Sequence, residues 1–77
     1  MTVKEFFSKG LDCEKSKIEC YCIESGRTKT GTREGFLKMV KLSSEYRNAE
    51  IIGSAYDGDV LHLDIILADG INKGLYL

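Results

Sequence analysis

Two stretches of this chain place apolar side chains at every second position. In Lys17–Glu24, Ile18, Cys20 and Cys22 fall on one side and Glu19, Tyr21 and Ile23 on the other. In Val60–Leu67, Leu61, Leu63, Ile65 and Leu67 recur with His62 and Asp64 between them. Period two is the pleat of a β-strand. A sheet whose strands are apolar on one face needs cover on that face and leaves the other wet. Helices are the obvious cover, which makes the expected class α+β.

Two segments supply those helices. Thr2 with Glu5 three residues later has the form of a capping box, and Val3, Phe6 and Phe7 recur on one helical face up to Gly10. That predicts a helix over 3–9, ended by Gly10 at the C′ position. Two turns cannot stand alone, so Phe6 and Phe7 must dock on the rest of the domain. Thr32 reads as a second N-cap, Glu34 suits the start of a helix, and Phe36, Met39 and Val40 form the buried stripe of a helix over 33–43.

The remaining segments complete two hairpins. Ser25-Gly26 turns the chain from the first strand into Arg27–Thr32, a polar, threonine-rich run expected at a sheet edge. After a polar connection over 43–48, Ala49–Tyr56 and Val60–Leu67 flank Asp57-Gly58, a strong hairpin signal. A two-residue loop there pairs Ile52 with Leu63, and a three-residue loop pairs Ile51 with Leu63. Gly53 signals a bulge or a close contact. The expectation is a single domain over 1–77: a small antiparallel sheet of about four strands, with one or two helices on one face. Phe6, Ile18, Cys20, Phe36, Val40, Leu61, Leu63 and Ile65 are its expected core. The apolar tail Ile71–Leu77 is open to three readings: a fifth strand, a segment folded on the core, or a contact with a partner, including a second copy of the chain.

Charge narrows the function classes. The chain has 11 Lys+Arg against 12 Asp+Glu among 77 residues, a net charge of −1. A wholly basic nucleic-acid arm and a wholly acidic mimic of DNA are both excluded. No window approaches the roughly 20 apolar residues of a membrane span, and the N-terminal residues lack the apolar core of a signal peptide. Three cysteines, an odd number, do not form a secreted disulfide framework. The expected location is therefore the cytoplasm, with Cys13, Cys20 and Cys22 as thiols.

No catalytic motif is present: no P-loop, no nucleophile elbow, no His-Glu-x-x-His. Cys20 and Cys22 lie two apart within a strand rather than in a zinc knuckle, so they read as small buried hydrophobes and no metal or cofactor is expected. His62, between Leu61 and Leu63, points to the solvated face. Asp57-Gly58-Asp59 is accounted for by turn chemistry. The expectation is a protein without enzymatic activity.

Charge position is more informative than charge total. Residues 27–41 carry Arg27, Lys29, Arg33, Lys38 and Lys41 against Glu34 alone, whereas both flanks are net acidic. Charge runs are most often solubilising. As a functional feature, this run makes Arg27, Lys29, Arg33 and Lys38 the candidate partner-binding residues. Tyr21, Tyr56 and Tyr76 join them as rigid amphipathic contacts. Thr2-Val3-Lys4-Glu5-Phe6, a hairpin, a short helix and a strand pair around Asp57-Gly58 together resemble small proteins of Firmicutes and their phages or mobile elements. That resemblance carries no catalytic residue. It implies a small inhibitor that sterically blocks a host protein or protein complex. The alternative is a nucleic-acid-binding accessory protein using the 27–41 surface, with phosphate contacts from Arg27, Lys29 and Arg33.

Overall fold

A computed structural model describes residues 1–67. The tail expectations and Tyr76 lie outside the described residues. The elements run α1 (Val3–Ser8), β1 (Lys17–Cys22), β2 (Arg27–Thr32), α2 (Arg33–Leu42), α3 (Ser44–Arg47), β3 (Glu50–Asp57) and β4 (Val60–Ile66). The four strands form one sheet in the order β2-β1-β4-β3. The architecture is α+β, with two antiparallel hairpins as the sequence predicts. One feature departs from a purely antiparallel sheet. The hairpins join through β1 and β4, which run parallel, so the sheet is mixed. Their apolar positions require it to be central: Ile18, Cys20 and Cys22 lie beside Leu61, Leu63 and Ile65, making one continuous apolar strip.

Helices cover that strip. Val3 and Phe6 of α1 and Phe36 and Val40 of α2 are buried in the same cluster as the six strand residues and Ala49. All eight residues expected in the core are there. The Thr2 hydroxyl accepts from the Glu5 N–H, and the Glu5 carboxylate accepts from the Thr2 N–H, so the capping box is closed in both directions. Thr32 caps α2 by accepting from the Gly35 N–H at 3.1 Å. The predicted polar connection after α2 contains one more turn of helix, α3. Ser43 caps it, and it positions Tyr46 against the core.

Local turn chemistry corrects two details. The first hairpin pairs Cys22 with Arg27, leaving a four-residue loop over 23–26 that closes with Gly26 at φ +68°. The second pairs Asp57 with Val60. Its two-residue loop is therefore Gly58-Asp59, with Gly58 at φ +57°, and Leu63 lies opposite Ser54 rather than Ile51 or Ile52. Gly58 thus occupies the first loop position, where a positive φ is needed, instead of the second. Asp59 is held there by Ser16, whose backbone N–H and hydroxyl both donate to its carboxylate. A bulge at Ile52 then shifts the register. Gly53 sits opposite Asp64, where an added Cβ would come within 3.2 Å of the Asp64 carboxylate.

The opposite face of the sheet carries Tyr21, Glu19, His62 and Asp64, and among the described residues no helix covers it. No described helix is long and apolar enough to cross a membrane.

Candidate protein-docking surface

The strand β2 is exposed at all six positions. In the antiparallel register Arg27, Lys29 and Gly31 lie opposite Cys22, Cys20 and Ile18. Directly paired residues share a face, so Arg27 and Lys29 project to the helix-covered side of the sheet, at its rim. Thr28, Thr30 and Thr32 project to the open side. The Lys29 ammonium sits over the Tyr46 ring, 5.5 Å from its centre, a cation–π contact. Burial pushes the Tyr46 hydroxyl above its ordinary pKa, and the nearby Cys22 and Cys20 add to that.

Two depressions run along this side of β2. One, of about 280 Å³, lies between β2 and α2 and is lined by Lys29, Thr30, Gly31, Gly35, Phe36 and Met39. The other, of about 490 Å³, includes Cys20, Cys22, Arg27, Lys29, Tyr46 and Leu67 in its lining. Lys29 borders both, so the two depressions flank it as a two-part groove beside the strand. Gly31 opens the first: a Cβ there would meet nothing within 4 Å. The Cys20 thiol at the floor of the second is pushed up to about 12, mainly by burial. It stays a neutral thiol and behaves as a small apolar group. Glu24 ties the end of β4 to the first hairpin, its carboxylate accepting from the Leu67 N–H at 3.0 Å and from the Cys22 thiol at 3.3 Å.

The sequence-predicted contact residues do not form one patch. Arg27 and Lys29 stand together. Arg33 is at the other end of β2, roughly 20 Å from Arg27 at the strand rise of about 3.3 Å per residue. It has a partner already: its Nε donates to Asp12, whose side chain is 2% exposed. Arg33 therefore ties the 9–16 connection to the start of α2. Lys38 is exposed on α2. With Lys4 and Lys41 it rims a separate apolar depression of about 400 Å³ whose lining includes Phe7, Leu37 and Val40. Tyr21 lies on the open face of β1. Tyr56 is on the opposite face at the far edge strand, donating its hydroxyl to the Leu11 carbonyl, with Lys15 over its ring.

Tyr46, Gly31 and Gly35 are the groove residues that the charge pattern did not single out. Asp12 is buried, yet nothing in Leu-Asp-Cys-Glu marks it as such. His62 lies on the open face as expected, its Nδ1 3.0 Å from Glu19. Cys13 is exposed in the 9–16 connection while Cys20 and Cys22 are in the core, and among the described residues no three His, Cys, Asp or Glu side chains are gathered as metal ligands. Comparison with known proteins finds no matching family model, no matching curated protein and no matching solved structure.

Proposed function

We propose that this protein is a small non-enzymatic protein-binding module that acts by steric occupation of a partner's surface. The observation that carries this reading is β2: a six-residue strand, exposed along its whole length, on the outer edge of the sheet, with a groove beneath it. An unprotected edge is an association hazard that folds ordinarily blunt. Here Arg27 and Lys29 blunt it toward most strands, while a strand carrying carboxylates can still pair with it. A phage or mobile-element inhibitor of a host protein is the specific form we favour, on the resemblance of the sequence and the small size. The reducing cytoplasm suits a chain with two buried unpaired thiols.

The pairing of Arg33 with Asp12 weakens the nucleic-acid alternative, because that cation is already neutralised by a buried carboxylate. The test is affinity capture from a host lysate with the full chain as bait, with and without nuclease. The expected result is a specific protein retained equally in both. Release by nuclease, or no protein above a control bait, would overturn the reading.

A further inference from the structure

We propose that the free edge of β2 receives an extended acidic segment of the partner protein, paired antiparallel with Arg27–Thr32 as a fifth strand. This rests on the protein-binding reading and specifies its chemistry. Three observations converge on it.

The first is the direction of the backbone groups. The Arg33 N–H donates to the Ser16 carbonyl at 2.9 Å, continuing the β1–β2 ladder by one position. Bonded pairs alternate along an antiparallel ladder, so Arg27, Lys29 and Gly31 turn their N–H and C=O groups to β1. Thr28 and Thr30 turn theirs outward, ready for another strand.

The second is shape. On the groove side, an added strand projects every second side chain inward. The position opposite Gly31 faces the depression walled by Gly35, Phe36 and Met39. Gly31 offers no side chain there, so a leucine-sized group enters from the added strand.

The third is charge. The inward positions opposite Lys29 and Arg27 face two cations, and among the described residues neither makes an ion pair. Opposite charges on directly paired residues stabilise a strand pair and like charges destabilise it. That disfavours a second copy of this strand as the occupant in the registers centred on residues 28–30. Pairing about a two-fold axis puts Lys29 opposite or diagonal to its own mate. The occupant's pattern, read from its N-terminus, is apolar, any, acidic, any, acidic.

Fluorescence anisotropy with the full chain tests this. The probe is a labelled peptide, Ser-Ser-Thr-Leu-Thr-Glu-Thr-Glu-Ser-Ser, and the control has lysine in place of both glutamates. The glutamate peptide should bind at least about tenfold tighter than the lysine peptide. Thr30→Pro should weaken it at least about tenfold, since that N–H faces away from β1 and proline removes no bond of the existing sheet. The double variant Arg27→Glu with Lys29→Glu should invert the preference toward the lysine peptide, an outcome that misfolding cannot produce. Equal affinity for the two peptides, or no inversion, would overturn the proposal. So would tighter binding of a 20-nucleotide single-stranded DNA than of the glutamate peptide. If a nuclease-resistant lysate protein is retained equally by the wild type and Thr30→Pro, the protein-binding reading stands and the edge proposal falls.

Discussion

Replacing Arg33 with alanine should destabilise the domain although the side chain lies at its surface. Asp12 is almost entirely buried, its side chain 2% exposed, and the Arg33 side chain that pairs with it is 36% exposed. Breaking a fully buried pair by removing one partner costs about 3–5 kcal/mol, because the remaining charge is left without compensation. Solvent already reaches the Arg33 side of this pair and can move toward Asp12, which reduces the cost by about half. Arg33 is also the first residue of α2, where a cation opposes the helix dipole, and its removal returns about 0.5 kcal/mol. The expected net loss is about 1–2 kcal/mol. That is a substantial fraction of the roughly 4–12 kcal/mol expected for a domain of this length. At about 4–8 °C per kcal/mol, it lowers Tm by about 4–16 °C. The assay is urea denaturation of the wild type, Arg33→Ala, Asp12→Asn and the double variant. Because Asp12→Asn removes the charge that Arg33 compensates, the double variant should be less destabilised than the two single losses added together, by about 1 kcal/mol or more. A loss below about 0.5 kcal/mol for Arg33→Ala, or additive losses, would refute the reasoning.

Leu63, 1% exposed at the centre of the sheet, should cost about 2–5 kcal/mol as Leu63→Ala, read from the denaturation midpoint. Thr2→Ala removes one half of the capping box that orders α1 and should cost about 0.5–2 kcal/mol, in the same assay. Iodoacetamide should label the native protein once, at Cys13, with Cys20 and Cys22 reacting only in denaturant; peptide mass mapping decides, and native labelling of Cys20 would contradict its place in the core. Acid should destabilise the fold in part through Glu5 and Asp59. Hydrogen bonds from Thr2 and from Ser16 hold their carboxyls below the ordinary range. A carboxyl whose folded pKa is depressed contributes above its unfolded pKa of about 4 and loses that contribution as pH falls through the folded value. Asp59→Asn should therefore flatten the acid limb of a stability–pH curve, and an unchanged limb would remove Asp59 from the account.

The pattern-bearing parts of the fold were legible because each rests on a local rule. Ile18, Cys20 and Cys22 show a pleat, Thr2 and Glu5 show a cap, and the polar Arg27–Thr32 run shows an edge. What stayed hidden depends on which strand meets which. Period two says that β1 and β4 each bury one face, yet it cannot say that they are neighbours or that they run parallel. Register at the second hairpin failed for a related reason. Asp57-Gly58 is a good turn on propensity, but the Ser16 contacts that hold Asp59 in the loop come from a residue 43 positions away. The same limit applies to the candidate surface. Residue spacing put Arg33 near Lys29 in sequence, whereas an extended strand carries it far from Arg27 in space. The depression at Gly31 required knowing that α2 packs beside that strand.

The parallel contact between β1 and β4 also sets the order in which this molecule can be made. Lys17 lies beside Val60 and Cys22 beside Ile65, so the middle of the sheet closes a loop of more than forty residues. The first hairpin is complete in sequence by Thr32, yet the inner edge of β1 has no neighbouring strand until residue 66 has been synthesised. Loop-closure entropy must be overcome before that contact gives anything back. Folding should therefore be a late, all-or-none event, with little accumulation of a structured N-terminal half. A fragment ending at residue 48 would keep α1 and α2 but lose Leu61, Leu63 and Ile65 from beside Ile18, Cys20 and Cys22, and should remain unfolded in isolation. Mixed with a fragment that begins at Ala49, it should gain structure only as the two associate.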